Sequence, residues 1–240
     1  MVAGLMRLRT MVYMMGLLAL AVVVGGSLEF RRLDLERARE RALRFSPAEY
    51  ARDLWDNRLP SVLQDAQPAD QLIRLFNKDM QAAVTRGRTL GYSRVHAYLL
   101  SGRGRIAAVQ NDGMLLDVLQ EDPDPEVFLC VGQYISSNAI RDASGLVDVS
   151  AFSDTMKFNR ISAEINRIVV QEVIRPFLDR APQVGATVDF VGAAEVAEDA
   201  TAKVPFGGRQ QADGTQDSWH LLKVVPVRLE LVSVTQQERQ

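Results

Sequence analysis

The chain has 240 residues, 47% of them apolar and 24% charged, with 30 acidic against 28 basic side chains and a formal net charge of −2. That apolar content can bury a core, which excludes wholesale disorder, and the near-neutral balance lacks the basic excess of a nucleic-acid binder. A single cysteine excludes an intramolecular disulfide framework and any multi-cysteine metal site.

Residues 10–28 are 19 positions without a charge, preceded by Arg7 and Arg9. As a helix this run is about 28 Å long, close to the ~30 Å hydrocarbon thickness of a bilayer. A basic start followed by an apolar run describes a secretory signal or a signal anchor. We expect residues 1–28 to be an uncleaved transmembrane anchor, with the bulk of the chain outside the cytoplasm. The small residues Gly25-Gly26-Ser27 leave cleavage open as the alternative. No cysteine lies near the end of the run.

Residues 29–58 hold eight arginines and seven acids. This composition reads as an exposed helix supported by pairs such as Glu36 with Arg39. Ser46-Pro47-Ala48-Glu49 has the pattern of a helix start, and Pro60 marks a break or kink. A further helix opens at Pro68, carries Leu72, Leu75, Phe76, Met80, Ala83 and Val84 at helical spacing, and ends between Gly87 and Gly91. Residues 29–92 are therefore expected to form a helical stalk region.

The pattern changes to β at Ser93. Val95–Leu100 and Arg105–Gln110 are β-like runs joined by Ser101-Gly-Arg-Gly104 and counted as one strand. Asn111-Asp-Gly113 is a hairpin turn signal, followed by Met114–Leu119. After the turn at Glu121–Pro125 comes Val127–Val131, which places Cys130 inside an apolar strand as a buried, inert thiol. An irregular stretch follows. Ile161–Leu178 is an amphipathic helix with Ile161, Ile165, Ile168, Val169, Val173 and Phe177 on its apolar face, and Asn159 or Ser162 as N-cap. Thr187–Val196 and Leu221–Val234 read as strands, separated by residues 198–218, a mobile loop without periodicity.

Three strands, a helix and two strands define the expected fold class. It is α+β, with an N-terminal membrane helix, a helical segment and an OB-like five-stranded β-barrel over 93–235 whose helix lies between strands 3 and 4.

The polar residues Asn138, Arg141 and Asp142 follow a strand, and Asn159, Ser162 and Asn166 crowd the start of the helix. Arginine, aspartate and amides together can hold sugar hydroxyls, or can lock an irregular loop through internal hydrogen bonds. These six residues are the candidate ligand- or partner-binding site. His96 and His220 have no acidic or cysteine partner at metal-ligand spacing. No nucleophile elbow or phosphate loop is present. The expectation is accordingly no catalytic residue, no metal and no cofactor.

At Gly132-Gln-Tyr-Ile-Ser-Ser-Asn-Ala-Ile-Arg-Asp-Ala-Ser-Gly-Leu-Val147 the chain resembles an uncharacterised bacterial family described as predicted periplasmic lipoproteins. The likeness continues at Met156–Asn166, Val184-Gly185, Phe190-Val-Gly192 and Pro226–Glu230. The resemblance implies an envelope location and association with sugar uptake systems of the ATP-binding-cassette type, but no established activity. The expected location is the bacterial inner membrane facing the periplasm, or the periplasm itself if the leader is cleaved. The family's lipid-accepting cysteine is missing, so attachment is expected through residues 10–28. The leading expectation is a non-catalytic, membrane-anchored accessory or partner-binding component of a sugar uptake system. The alternative is a carbohydrate-binding module that uses the patch from Asn138 to Asn166.

Overall fold

The computed structural model describes residues 14–16, 45–152, 154–199, 204–210 and 218–232. The chain divides into Met1–Phe45 and Ser46–Gln240. In the first unit Met14–Gly16 are helical and exposed; the rest of the anchor expected at 10–28, and the charged segment up to residue 44, lie outside the described residues. Among the described residues no helix is long and apolar enough to cross a membrane.

In the second unit, helix α1 (Pro47–Asp53) is capped by Ser46, whose hydroxyl accepts the Glu49 N–H. A π-type stretch, Leu54–Arg58, carries it into α2 (Leu59–Val62). Strand β1 (Gln67–Pro68) leads to α3 (Ala69–Lys78), and Asp79 in extended geometry separates it from α4 (Met80–Val84). The sequence suggested one helix here. The Asp79 carboxylate instead accepts the Ala82 N–H, starting a new helix. Ala51, Leu54, Leu59, Leu72, Ile73, Phe76 and Ala83 from these helices are buried. Residues 46–92 belong to the same unit as the strands, where the sequence had suggested a stalk, because α1 packs on the long helix Thr155–Ile168 and α3 packs on the sheet. Phe76 makes edge contacts with Tyr98 at 5.5 Å and Phe206 at 5.4 Å.

After β2 (Arg88–Thr89) comes β3 (Val95–Val109), a single 15-residue strand running through Ser101–Gly104. The hairpin expected at Asn111–Gly113 joins it to β4 (Gly113–Asp117), and β5 (Val127–Cys130) follows. The stretch expected to be irregular contains α5 (Ala139–Ser144), ended by Gly145 in left-handed geometry at φ 63°. Ala139, Ile140 and Ala143 are buried, which gives this short helix its reason to form.

Helix α6 (Thr155–Ile168) is capped by Asp154, which accepts the Met156 N–H. It starts earlier than the Asn159 or Ser162 caps inferred from sequence because Asp154 already satisfies the first turn. A π-type stretch, Val169–Ile174, joins it to α7 (Arg175–Leu178). This stretch corrects the expected apolar face. Val173 is half-buried, and Ile174, one position later, is 1% exposed. Both π-type stretches end two residues before a proline, Pro60 and Pro176. A proline ring crowds the carbonyl four residues back. The Leu59 and Arg175 N–H groups bond five residues back, to Leu54 and Val170, so the turn is wide where the ring must fit.

Strands β6 (Thr187–Ala197) and β9 (Leu222–Val232) complete the sheet, and β7 (Arg209–Gln210) pairs with β8 (Ser218–Trp219) separately. The five longest strands close a ring in the order β3-β4-β5-β9-β6, with β6 returning to β3 over eleven register pairs. The β5–β9 pair is parallel and the others are antiparallel. The long helix falls between the third and fourth of these strands, as expected. Within the segment expected to be a mobile loop, the described residues 204–210 are tied down. Phe206 is buried, and its N–H and carbonyl both bond the Asn77 side-chain amide.

Cys130 lies on β5, and burial pushes its thiol up to about 11. A thiolate is the reactive form. Cys130 is half-buried, so iodoacetamide at mildly alkaline pH is expected to label it slowly in the folded chain and much faster after denaturant is added, a result that mass spectrometry would check. His96 Nε2 lies 3.0 Å from Glu198 Oε1, and His220 stacks on Phe206 at 4.6 Å. Among the described residues no group of acids, histidines and cysteine is arranged to hold a metal.

Candidate functional site

A cavity of about 570 Å³ opens between the loop after β5, the outer face of α6 and the far end of β6. The loop contributes Gln133 to Asn138, the helix contributes Asn159, Ser162, Ala163, Asn166 and Arg167, and Val170, Gln171 and Arg175 extend the wall. Glu195 of β6 closes one side. Of the six residues singled out from sequence, Asn138, Asn159, Ser162 and Asn166 line this cavity. Arg141 and Asp142 do not.

Helical spacing explains the wall. Positions 159, 162, 163, 166, 167 and 170 recur every three or four residues along one face of the helix. Opposite it, Ile161, Ile165 and Ile168 are buried on the core side. One face of the helix thus anchors it while the other offers amides and hydroxyls.

The wall residues differ in what already occupies them. Asn166, 6% exposed, donates from Nδ2 to the carbonyls of Ile135 at 3.3 Å and Ser137 at 2.8 Å, so it pins the loop. Asn159 accepts from Arg141 at 3.2 Å. The Ser162 hydroxyl has no partner although the residue is only 4% exposed. Buried polar groups are nearly always paired, so this one calls for an explanation.

Glu195 escaped the sequence reading. Burial, followed by the nearby Asp142 charge, holds its carboxyl above the usual glutamate value, while the Ser137 hydroxyl, the Asn138 N–H and the Arg141 charge pull it down. The Ser137 hydroxyl donates to it at 3.2 Å. The available signal was an isolated acid in the otherwise apolar run from Gly192 to Ala197. Tyr134, on the loop, is 84% exposed at the cavity and was not singled out either.

Arg141 and Asp142 sit behind the site. The Arg141 guanidinium, 3% exposed, lies 3.7 Å from the Phe158 ring centroid. It donates to both Asp142 oxygens at 2.6 and 3.0 Å, and to the Phe158 carbonyl at 3.4 Å. For these two residues the loop-locking alternative is the one the geometry supports, since the guanidinium already makes four hydrogen bonds within the fold.

The fold and the cavity define an OB-type α+β chain with a polar pocket built on the helix that interrupts its strands. A crystal structure of an OB-fold protein from Thermotoga maritima is similar to it, with a TM-score of 0.65 and 26% sequence identity over 79% of this chain and 99% of that one. No curated protein matches the chain. The model of the family described as predicted periplasmic lipoproteins (DUF2291) matches residues 18–207, and the chain belongs to that family. Its description places its members in the periplasm as lipoproteins and assigns no activity.

Proposed function

We propose that this periplasmic protein is a non-catalytic binding module that takes a small carbohydrate in the cavity between the loop after β5 and α6. The Ser162 hydroxyl carries the reading, as a buried polar group without a partner in the wall of a cavity otherwise rich in amides and hydroxyls. A sugar hydroxyl would satisfy it, and Asn138, Gln133 and Gln171 offer further donors and acceptors around it. Exposed Tyr134 supplies an aromatic face, the usual apolar contact for a sugar ring. The cavity volume falls within the range of small-molecule sites.

In this reading residues 10–28 hold the chain at the inner membrane, and its protein partners are components of a sugar uptake system of the ATP-binding-cassette type. That link rests on the family resemblance. Crosslinking in native membranes that captures no permease or binding protein would remove it and leave the pocket untouched.

A panel of monosaccharides tests the pocket by thermal shift. A binding sugar at about 100 times its dissociation constant adds roughly 2.7 kcal/mol, hence a rise of roughly 5–10 °C for a domain of this size. Ser162→Ala separates the two roles of the patch. With no ligand its melting temperature is expected to stay level or rise, because an unsatisfied hydroxyl has been removed, while the sugar-induced rise falls. A loss of stability in the unliganded variant with an unaltered sugar response would sink the proposal.

A further inference from the structure

We propose that the ligand of this cavity is a sugar acid, a polyhydroxylated molecule whose carboxylate is held by Arg175; this rests on the binding reading above. The placement of Arg175 is the first argument. A regular α-helix through Val170 would bring residue 174 to the cavity face. The π-type turn adds one residue, sends Ile174 into the core at 1% exposure, and stacks Arg175 beneath Val170 through the bond from its N–H to the Val170 carbonyl. The extra residue exchanges an apolar side chain for a guanidinium on the wall of the site.

The second argument is charge. Each acid around the cavity already has a partner. Glu164 pairs with Arg167 at 2.8 Å, Glu172 with Arg52 at 2.6 Å, and Asp142 with Arg141 at 2.6 Å. Glu195 is engaged by the Ser137 hydroxyl. Arg175 lines the cavity and forms no ion pair among the described residues. Arg167 is balanced by Glu164, so Arg175 is the guanidinium on the wall that has no acid beside it among the described residues. A guanidinium meets a carboxylate through two parallel hydrogen bonds, a geometry that a neutral hydroxyl does not reproduce.

The test is isothermal titration of the full chain in mild detergent with glucuronate and galacturonate beside glucose and galactose. At least one acid is expected to bind roughly tenfold or more tightly than its neutral counterpart, and Arg175→Gln should erase that advantage by lowering the acid's affinity far more than the neutral sugar's. Arg175 is exposed, so the variant should keep its melting temperature. The salt dependence of the unmutated chain gives an independent check, since acid binding should weaken in high salt and neutral binding should not. Equal affinity for acid and neutral sugar, or an unaltered acid affinity in Arg175→Gln, overturns the sugar acid and leaves the pocket reading standing. Binding of neither kind to the folded chain overturns both.

Discussion

Replacing Arg141 by alanine is expected to destabilise the chain by about 3–5 kcal/mol, read from a urea titration of the full chain. The side chain is 3% exposed, is held in place by its neighbour Asp142 on α5, and joins α5 to α6 through Asn159, the Phe158 carbonyl and the Phe158 ring. Truncation leaves Asp142 as a partly buried carboxylate without its counter-charge, removes the stacking partner of Phe158, and opens a void between two helices. Losing one half of a buried ion pair costs far more than the pair contributes net, because the remaining charge keeps its desolvation penalty. Asn138→Ala is the control. Its side chain is exposed and forms no hydrogen bond among the described residues, so its change should stay within about 0.5 kcal/mol. Equal losses for the two variants would show that Arg141 is not the lock between the helices.

Gly192→Ala should be the second severe change, at about 3 kcal/mol, near the upper end for inserting a methyl group where there is no room. A Cβ at Gly192 would lie 2.5 Å from the Val225 carbonyl oxygen, 2.7 Å from Val224 Cγ1 and 3.2 Å from Pro226 Cα. Two of these three contacts are to backbone, which moves only if the β6–β9 pairing opens. The register of that pairing shifts at this point, from Val191 opposite Arg228 to Gly192 opposite Pro226. A proline has no N–H to give to a ladder and is admitted inside a sheet at such an irregularity. Gly192 and Pro226 thus form one device, and the alanine methyl would occupy the space the device needs. Thermal unfolding of Gly192→Ala beside Gly185→Ala, where a Cβ meets nothing within 4 Å, would isolate the steric effect from that of replacing a glycine. Because Gly185 has φ 87°, its alanine variant carries the backbone strain without the clash. A loss at Gly192 no larger than that at Gly185 would count against the steric account.

How far the sequence could be read depended on whether local chemistry or long-range packing decided each feature. Asn111-Asp-Gly113 made the β3–β4 turn legible because asparagine and glycine accept the backbone geometry that such turns need. The long helix was legible from its isoleucines at 161, 165 and 168. Its register beyond Val169 was not, because a period of 3.6 assumes no inserted residue, and the π-type turn moves burial from Val173 to Ile174. The same shift hid Arg175, which a regular periodicity places off the pocket face. Arg141 was singled out by its chemistry, but only the three-dimensional position of Phe158 and Asn159 shows that it is a lock. Glu195 lies about 60 residues from the loop it closes, a distance in sequence that no local pattern can bridge.

Ring closure has a consequence for how the chain is made. β3 pairs with β6, and β5 with β9, across about 90 residues each. Such distant pairings make folding slow and leave early strands waiting for late ones. A polypeptide that has delivered everything except Leu222–Val232 presents β5 and β6 with open edges that any other extended chain can pair with. The final strand therefore does more than complete the sheet. Until it arrives, the protein is a candidate for chaperone binding and for proteolysis; afterwards each of its five long strands has a partner strand on both sides.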